Sequence, residues 1–129
     1  MRVTINSDLV TVRAPKGAKT PWLTGRATRW MIASPYVLTI NGTVRIVPKG
    51  YIFDGSSIPS WLWWLFPPSY GPAWRAAAYH DYCYSHLYRQ VTKQHADEAF
   101  HSIMLADGAK PWIAKTFHWA VSSFGKGGW

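Results

Sequence analysis

The chain has 129 residues and a formal net charge of +8, with 14 Lys and Arg against 6 Asp and Glu. That length supports one hydrophobic core, so a single domain spanning 1–129 is expected. The lone cysteine, Cys83, excludes an intrachain disulfide framework, and no apolar run is long enough to cross a bilayer. Residues 1–53 carry strand signals: Leu9–Arg13, Trp30–Ile32, Tyr36–Ile40, Thr43–Val47 and Tyr51–Phe53. Asn41-Gly42 between two β-branched runs predicts a tight hairpin, and residues 14–26, rich in Pro, Gly, Lys and Thr, predict a loop. From Asp54 the period changes. Asp54-Gly55-Ser56-Ser57 reads as a tight turn before a short apolar helix, Ser60–Phe66, which Pro67-Pro68 stops. Helices are then expected over about 72–90, 93–106 and 111–124, the last opened by Pro111. Residues 125–129 read as a frayed tail. The fold class is therefore α+β, with a small antiparallel N-terminal sheet (1–53) packed on three or four helices (54–124).

The chemistry concentrates in His80-Asp81-Tyr82-Cys83-Tyr84 and Ala96-Asp97-Glu98-Ala99-Phe100. On two antiparallel helices, Asp97 can reach the ring of His80. A carboxylate on Nδ1 would fix the tautomer and leave Nε2 to take a proton from water. His80 and Asp97 are thus the candidate catalytic pair, with Tyr84 on the same helix face as His80 and Ser57 as supporting groups. Asp81, with the Asp54 turn, could hold a divalent cation: calcium first, since it wants several oxygens, some from a Gly-containing turn. Zinc comes second, on His80 with Asp54, Asp81 or Asp97. Ser56 and Ser57 lie outside any G-x-S-x-G context, which argues against serine hydrolysis. The bland alternative is a hydrogen-bonded core histidine with acids that only cap helices. His95 is expected near a helix start and exposed, and Cys83 as a small buried residue. Trp61, Trp63, Trp64 and Trp74 crowd the stretch before His80. The core should claim most of that cluster, whereas exposed Trp beside Lys and Arg would suit a membrane interface or sugar stacking.

Val47-Pro48-Lys49-Gly50-Tyr51-Ile52-Phe53-Asp54-Gly55-Ser56-Ser57-Ile58-Pro59, Trp61–Leu65, Arg75–Tyr84 and Ala96–Phe100 together resemble the phage and prophage family called domain of unknown function 1353, over roughly residues 30–124. The resemblance implies a phage or prophage origin and supplies no activity. The His-Asp-x-x-Tyr and Ala-Asp-x-x-Phe pair is also similar to the catalytic helices of the phospholipase A(2) group. That similarity implies His80 as general base, Asp97 as its orienting partner, Asp81 as a calcium ligand and Tyr84 as a support. The glycine-rich calcium loop of those enzymes is not visible here, and the β-rich first half is foreign to them. The expected function is a phage-encoded, hydrolase-like protein acting at the cell envelope on phospholipid ester or cell-wall bonds. The alternative is a non-enzymatic virion component, a tail or capsid accessory. The basic balance suits anionic lipid or a cell-wall polymer, or other phage structural subunits, ahead of nucleic acid. Met1–Asn6 shows no signal peptide, so host cytoplasm after synthesis is the expected location, with the virion as the alternative.

Overall fold

A computed structural model describes residues 1–66, 71–125 and 129. Six strands precede four α-helices: β1 (Val3–Ile5), β2 (Thr11–Arg13), β3 (Trp30–Ile32), β4 (Tyr36–Ile40), β5 (Thr43–Val47), β6 (Ile52–Phe53), α1 (Ser60–Leu65), α2 (Gly71–Tyr82), α3 (Lys93–Ala106) and α4 (Pro111–Phe124). The strands form two three-stranded antiparallel sheets, ordered β1-β4-β5 and β2-β3-β6. The fold is α+β, as the change of period at Asp54 indicates.

The β4–β5 hairpin pairs Tyr36 with Val47 and Ile40 with Thr43. Asn41 and Gly42 both take positive φ, 51° and 81°, as a two-residue hairpin turn that matches strand twist requires. Alternation along β4 buries Tyr36, Leu38 and Ile40 against the helices. Strand β1 escapes the sequence reading because three residues among polar neighbours carry almost no periodic signal. It forms by pairing with β4, Val3 opposite Ile40.

Helix α3 packs against α2 on one side and α4 on the other, and also against β1. Ala76, Ala77 and Ala78 of α2 are fully buried, so small side chains let the helix backbones approach closely. Phe100 of α3 stacks on Phe117 of α4 at 5.6 Å between centroids. Thr92 caps α3, its hydroxyl accepting the His95 amide proton at 3.0 Å, and Pro111 opens α4.

Two expectations need correction. The helix foreseen over 72–90 is α-helical only to Tyr82, and Cys83–Leu87 form a π-helical turn. The widening occurs where the Ser85 hydroxyl donates back to the Asp81 carbonyl at 2.9 Å, and such turns are placed at functional sites more often than elsewhere. The chain end also does more than fray: the Trp129 indole donates to the Val91 carbonyl at 3.0 Å and meets the Tyr84 ring edge-on. The Pro67-Pro68 stop lies outside the described residues, as do residues 126–128 of the tail.

Candidate active site

Helices α2 and α3 bring His80 and Asp97 together, and the turn after β6 closes over them. His80 Nε2 lies 2.7 Å from Asp97 Oδ1. The antiparallel helix pair therefore delivers the contact, but on the nitrogen opposite to the one anticipated. The other nitrogen, Nδ1, is not left to solvent: it lies 2.9 Å from Ser57 Oγ. The ring is completely buried, edge-on to Phe100 and 4.2 Å from the Tyr84 ring centroid.

Asp97 is the deep end of the network. It receives the Tyr84 hydroxyl at 2.8 Å on Oδ1 and the Lys93 ammonium at 2.6 Å on Oδ2. Burial alone would raise its pKa, but hydrogen bonds from His80, Lys93 and Tyr84 outweigh that and hold the carboxyl below the usual range. Lys93, which also reaches the Val121 and Ser122 carbonyls, was not among the expected groups. Its spacing from Asp97, one helical turn, is the signal that could have found it.

Ser57 is the shallow end. It is half-exposed and hydrogen bonded both to His80 Nδ1 and to Asp81 Oδ1. The Gly55 amide donates to Asp81 Oδ2 at 2.9 Å, and the Ser56 amide donates to Asp54 Oδ1 at 2.9 Å. Gly55 holds φ +76°, and a Cβ there would stand 3.2 Å from the Trp63 indole nitrogen, which itself donates to the Gly55 carbonyl at 3.0 Å. A side chain at residue 55 would be both strained and crowded, so this turn depends on glycine.

A single hydroxyl proton cannot serve two acceptors. If both Ser57 contacts are made, an additional proton must sit on Asp81 or on His80. Burial disfavours the charged form of each group. It lowers the His80 value, with the Asp97 carboxylate opposing, and it raises Asp81 to about 7 with help from the Asp54 charge. Asp81 is therefore the group that can take up a proton near neutral pH: when it is ionised the Ser57 hydroxyl donates to Asp81 Oδ1, and when it is protonated that hydroxyl is free to donate to His80 Nδ1.

Ser57 and Asp81 line a cleft of about 570 Å³ whose other walls include Trp22, Tyr51, Tyr84, Tyr88 and Phe124. Nothing in the local sequence announced Trp22 or Tyr88, which reach the cleft only through tertiary packing. Asp54 is buried beside this turn, and its Oδ2 has no hydrogen-bond partner among the described residues. Asp54 and Asp81 are two carboxylates, and the second already carries two hydrogen bonds. Among the described residues no three His, Cys, Asp or Glu side chains are grouped to hold a metal ion. His95 is half-buried rather than exposed, with Nε2 at 2.9 Å from the Tyr79 hydroxyl. His101, one turn beyond Asp97, stacks on His118. Burial pushes the Cys83 thiol up to about 12, which keeps it a protonated core residue.

Fold and site together define a small α+β protein in which Ser57 at a cleft wall, buried His80 and buried Asp97 are hydrogen bonded in series. The chain belongs to the family described as "Protein of unknown function (DUF1353)", which matches residues 30–121. That span holds Asp54, Ser57, His80, Asp81 and Asp97. No curated protein and no solved structure matches the chain.

Proposed function

We propose that the protein is a phage-encoded hydrolase of ester-type acyl bonds acting at the cell envelope, with Ser57 as the nucleophile. The observation that carries this reading is the cleft-lining Ser57 Oγ at 2.9 Å from His80 Nδ1, with His80 Nε2 at 2.7 Å from Asp97. This reading departs from the sequence expectation of a water activated by His80 without a serine nucleophile, because the ring is buried and both its nitrogens are engaged. The imidazole needs one N–H held by a carboxylate and one lone pair facing a hydroxyl, and either nitrogen can take either role. Ser57 Oγ would attack the carbonyl carbon while its proton moves to His80 Nδ1. Asp97 would stabilise the imidazolium. Collapse of the tetrahedral adduct would expel the alkoxide, which takes the Nδ1 proton. Water, deprotonated by His80, would then release the acid and restore Ser57. The Gly55 and Ser56 amides are spent on carboxylates and the Ser85 hydroxyl on the Asp81 carbonyl, so the developing oxyanion would be met by a cleft hydroxyl such as that of Tyr88.

A fluorophosphonate probe with mass analysis tests the nucleophile, beside hydrolysis of p-nitrophenyl and phospholipid esters. Labelling at Ser57 that disappears in Ser57→Ala is the expected result. An unlabelled, folded protein without esterase activity overturns it. One observation favours a second reading, a non-enzymatic virion component: the His80–Asp97–Lys93 end is closed and fully hydrogen bonded, as a structural network would be. In that case His80→Ala lowers the melting temperature sharply and the wild type cleaves nothing.

A further inference from the structure

The core takes Phe117 and packs against Trp63, but it leaves the other Trp and Phe side chains of α1 and α4 exposed. Trp61 is 42% exposed, Trp64 85%, Leu65 56%, Trp112 61%, Trp119 56% and Phe124 54%. They share one face. Trp61 and Trp64 stand one turn apart on α1, and Trp112 and Trp119 two turns apart on α4. The Trp61 ring lies 6.4 Å from Trp119 and 6.5 Å from Phe124, and Trp119 lies 5.7 Å from Phe124. A contiguous apolar patch of this kind on a small domain marks a place of contact. The expectation that the core takes most of the tryptophans before His80 therefore holds for Trp63 and Trp74, which are half-buried, and fails for Trp61 and Trp64.

Charge and composition select the occupant. Neither helix contains an acidic or amide side chain, while Lys115 lies exposed between Trp112 and Trp119 and Lys110 is exposed at the helix start. Saccharide recognition wants carboxylates or amides beside a stacking ring to hold hydroxyls, and this face supplies none. Indole rings favour the headgroup boundary, where the apolar body is buried and the N–H stays wet. A lysine between them can lay its stem along the rings and keep its ammonium among lipid phosphates. The net charge of +8 adds attraction to an anionic surface. Phe124 belongs both to this face and to the wall of the Ser57 cleft, so the two are continuous.

We propose that the α1/α4 face docks on an anionic lipid bilayer, with Trp64, Trp112 and Trp119 at headgroup level, and that Phe124 guides a lipid acyl chain from there to Ser57. The docking stands by itself. The delivery to Ser57 rests on the hydrolase reading above.

The test uses full-length Ser57→Ala, so that no turnover disturbs the vesicles, in co-sedimentation with phosphatidylglycerol–phosphatidylcholine vesicles and with phosphatidylcholine alone. Binding to the anionic vesicles is expected, weakened by salt, by Lys115→Glu, and at least about tenfold by Trp112→Ala with Trp119→Ala. Val44→Ala with Ile46→Ala, exposed on β5, should leave it unchanged. Circular dichroism checks each fold, and Trp64→Ala replaces the pair should the pair misfold. No vesicle binding, or binding indifferent to the tryptophans, overturns the docking. Two further results also overturn it: retention on insoluble peptidoglycan that the pair abolishes, or a dimer that the pair splits. Vesicle binding by Ser57→Ala together with an inactive wild type would keep the docking and overturn the delivery.

Discussion

The two ends of the hydrogen-bonded chain through His80 behave differently, although both are a buried acid accepting hydrogen bonds. At the deep end, Asp97 has Lys93, Tyr84 and His80 around it and stays ionised. At the cleft end, Asp81 has the Ser57 hydroxyl and backbone amides but no cation, with Asp54 close by, and burial raises its carboxyl to about 7. Burial is near complete at both. The His80 hydrogen bond first, then those of the Lys93 ammonium and the Tyr84 hydroxyl, make the difference: a buried carboxylate keeps its charge only when several donors compensate for lost water. One end is thereby fixed, and the other can exchange a proton near neutral pH.

Asp97→Ala would break the fixed end most severely. It leaves buried His80 Nε2 without its acceptor and takes from Lys93 its only carboxylate partner among the described residues, though the Val121 and Ser122 carbonyls remain, and removing one partner of a buried pair costs about 3–5 kcal/mol. Urea unfolding should show this loss, with Asp97→Asn losing less. A small loss for Asp97→Ala would mean that the deep end is not an anchor of the fold.

Asp81→Asn sharpens the comparison through pH. Asp81 is raised in the fold from 3.8 to about 7, so between those values the folded state holds more protons than the unfolded one. Its contribution to stability therefore declines as pH rises from about 4 to about 7 and remains lost above that. Asp81→Asn should stabilise the protein at pH 8 by up to a few kcal/mol, since each tenfold change in acidity corresponds to about 1.4 kcal/mol, and clearly less at pH 5. The lowered values of His80, His86, His95 and His101, each caused first by burial, act in the opposite sense. Those groups resist protonation in the fold, so their contribution is lost as pH falls below 6.5. Urea midpoints for wild type and variant at the two pH values separate the effects, and an equal gain at both would remove the raised carboxyl from the account.

Gly55→Ala tests whether the cleft end depends on its backbone. The positive φ and the Trp63 indole at 3.2 Å should together cost about 1–3 kcal/mol, read as a lower melting temperature, and slow probe labelling at Ser57. Unchanged melting and labelling would show that the turn tolerates a side chain. Ser57→Ala should have the smallest effect on folding, about 1 kcal/mol, because water in the cleft can replace the hydroxyl. In the same protein esterase activity should vanish. A stability loss matching that of Asp97→Ala would place Ser57 in the structural network instead.

Local signals carried much of this. Asn41-Gly42 is legible because few residue pairs accept positive φ twice in succession. His80, Asp97 and Tyr84 are legible because helical spacing puts them on facing sides of consecutive helices, and Cys83 as a buried residue because of its apolar helix context. Ser57 was within reach only as a neighbour of the site, since no motif marks it. Its meeting with His80, 23 positions later, depends on how the turn after β6 folds over α2. The fate of Trp61 and Trp64 against Trp63 and Trp74 was not legible either, because a run of apolar residues does not say which face finds a partner.

Residue order alone settles the division into a β half and a helical half, the hairpin, and the helix starts at Thr92 and Pro111. Each follows from short-range backbone preference or from side-chain periodicity, which act over a few residues. Packing decides which imidazole nitrogen faces Asp97, that Ser57 occupies the other, that burial pushes the Asp81 carboxyl up to about 7, and that Trp61, Trp64, Trp112 and Trp119 face outward. Those outcomes depend on burial and on distances between segments far apart in the chain. Desolvation and hydrogen-bond geometry exist only once those segments have packed.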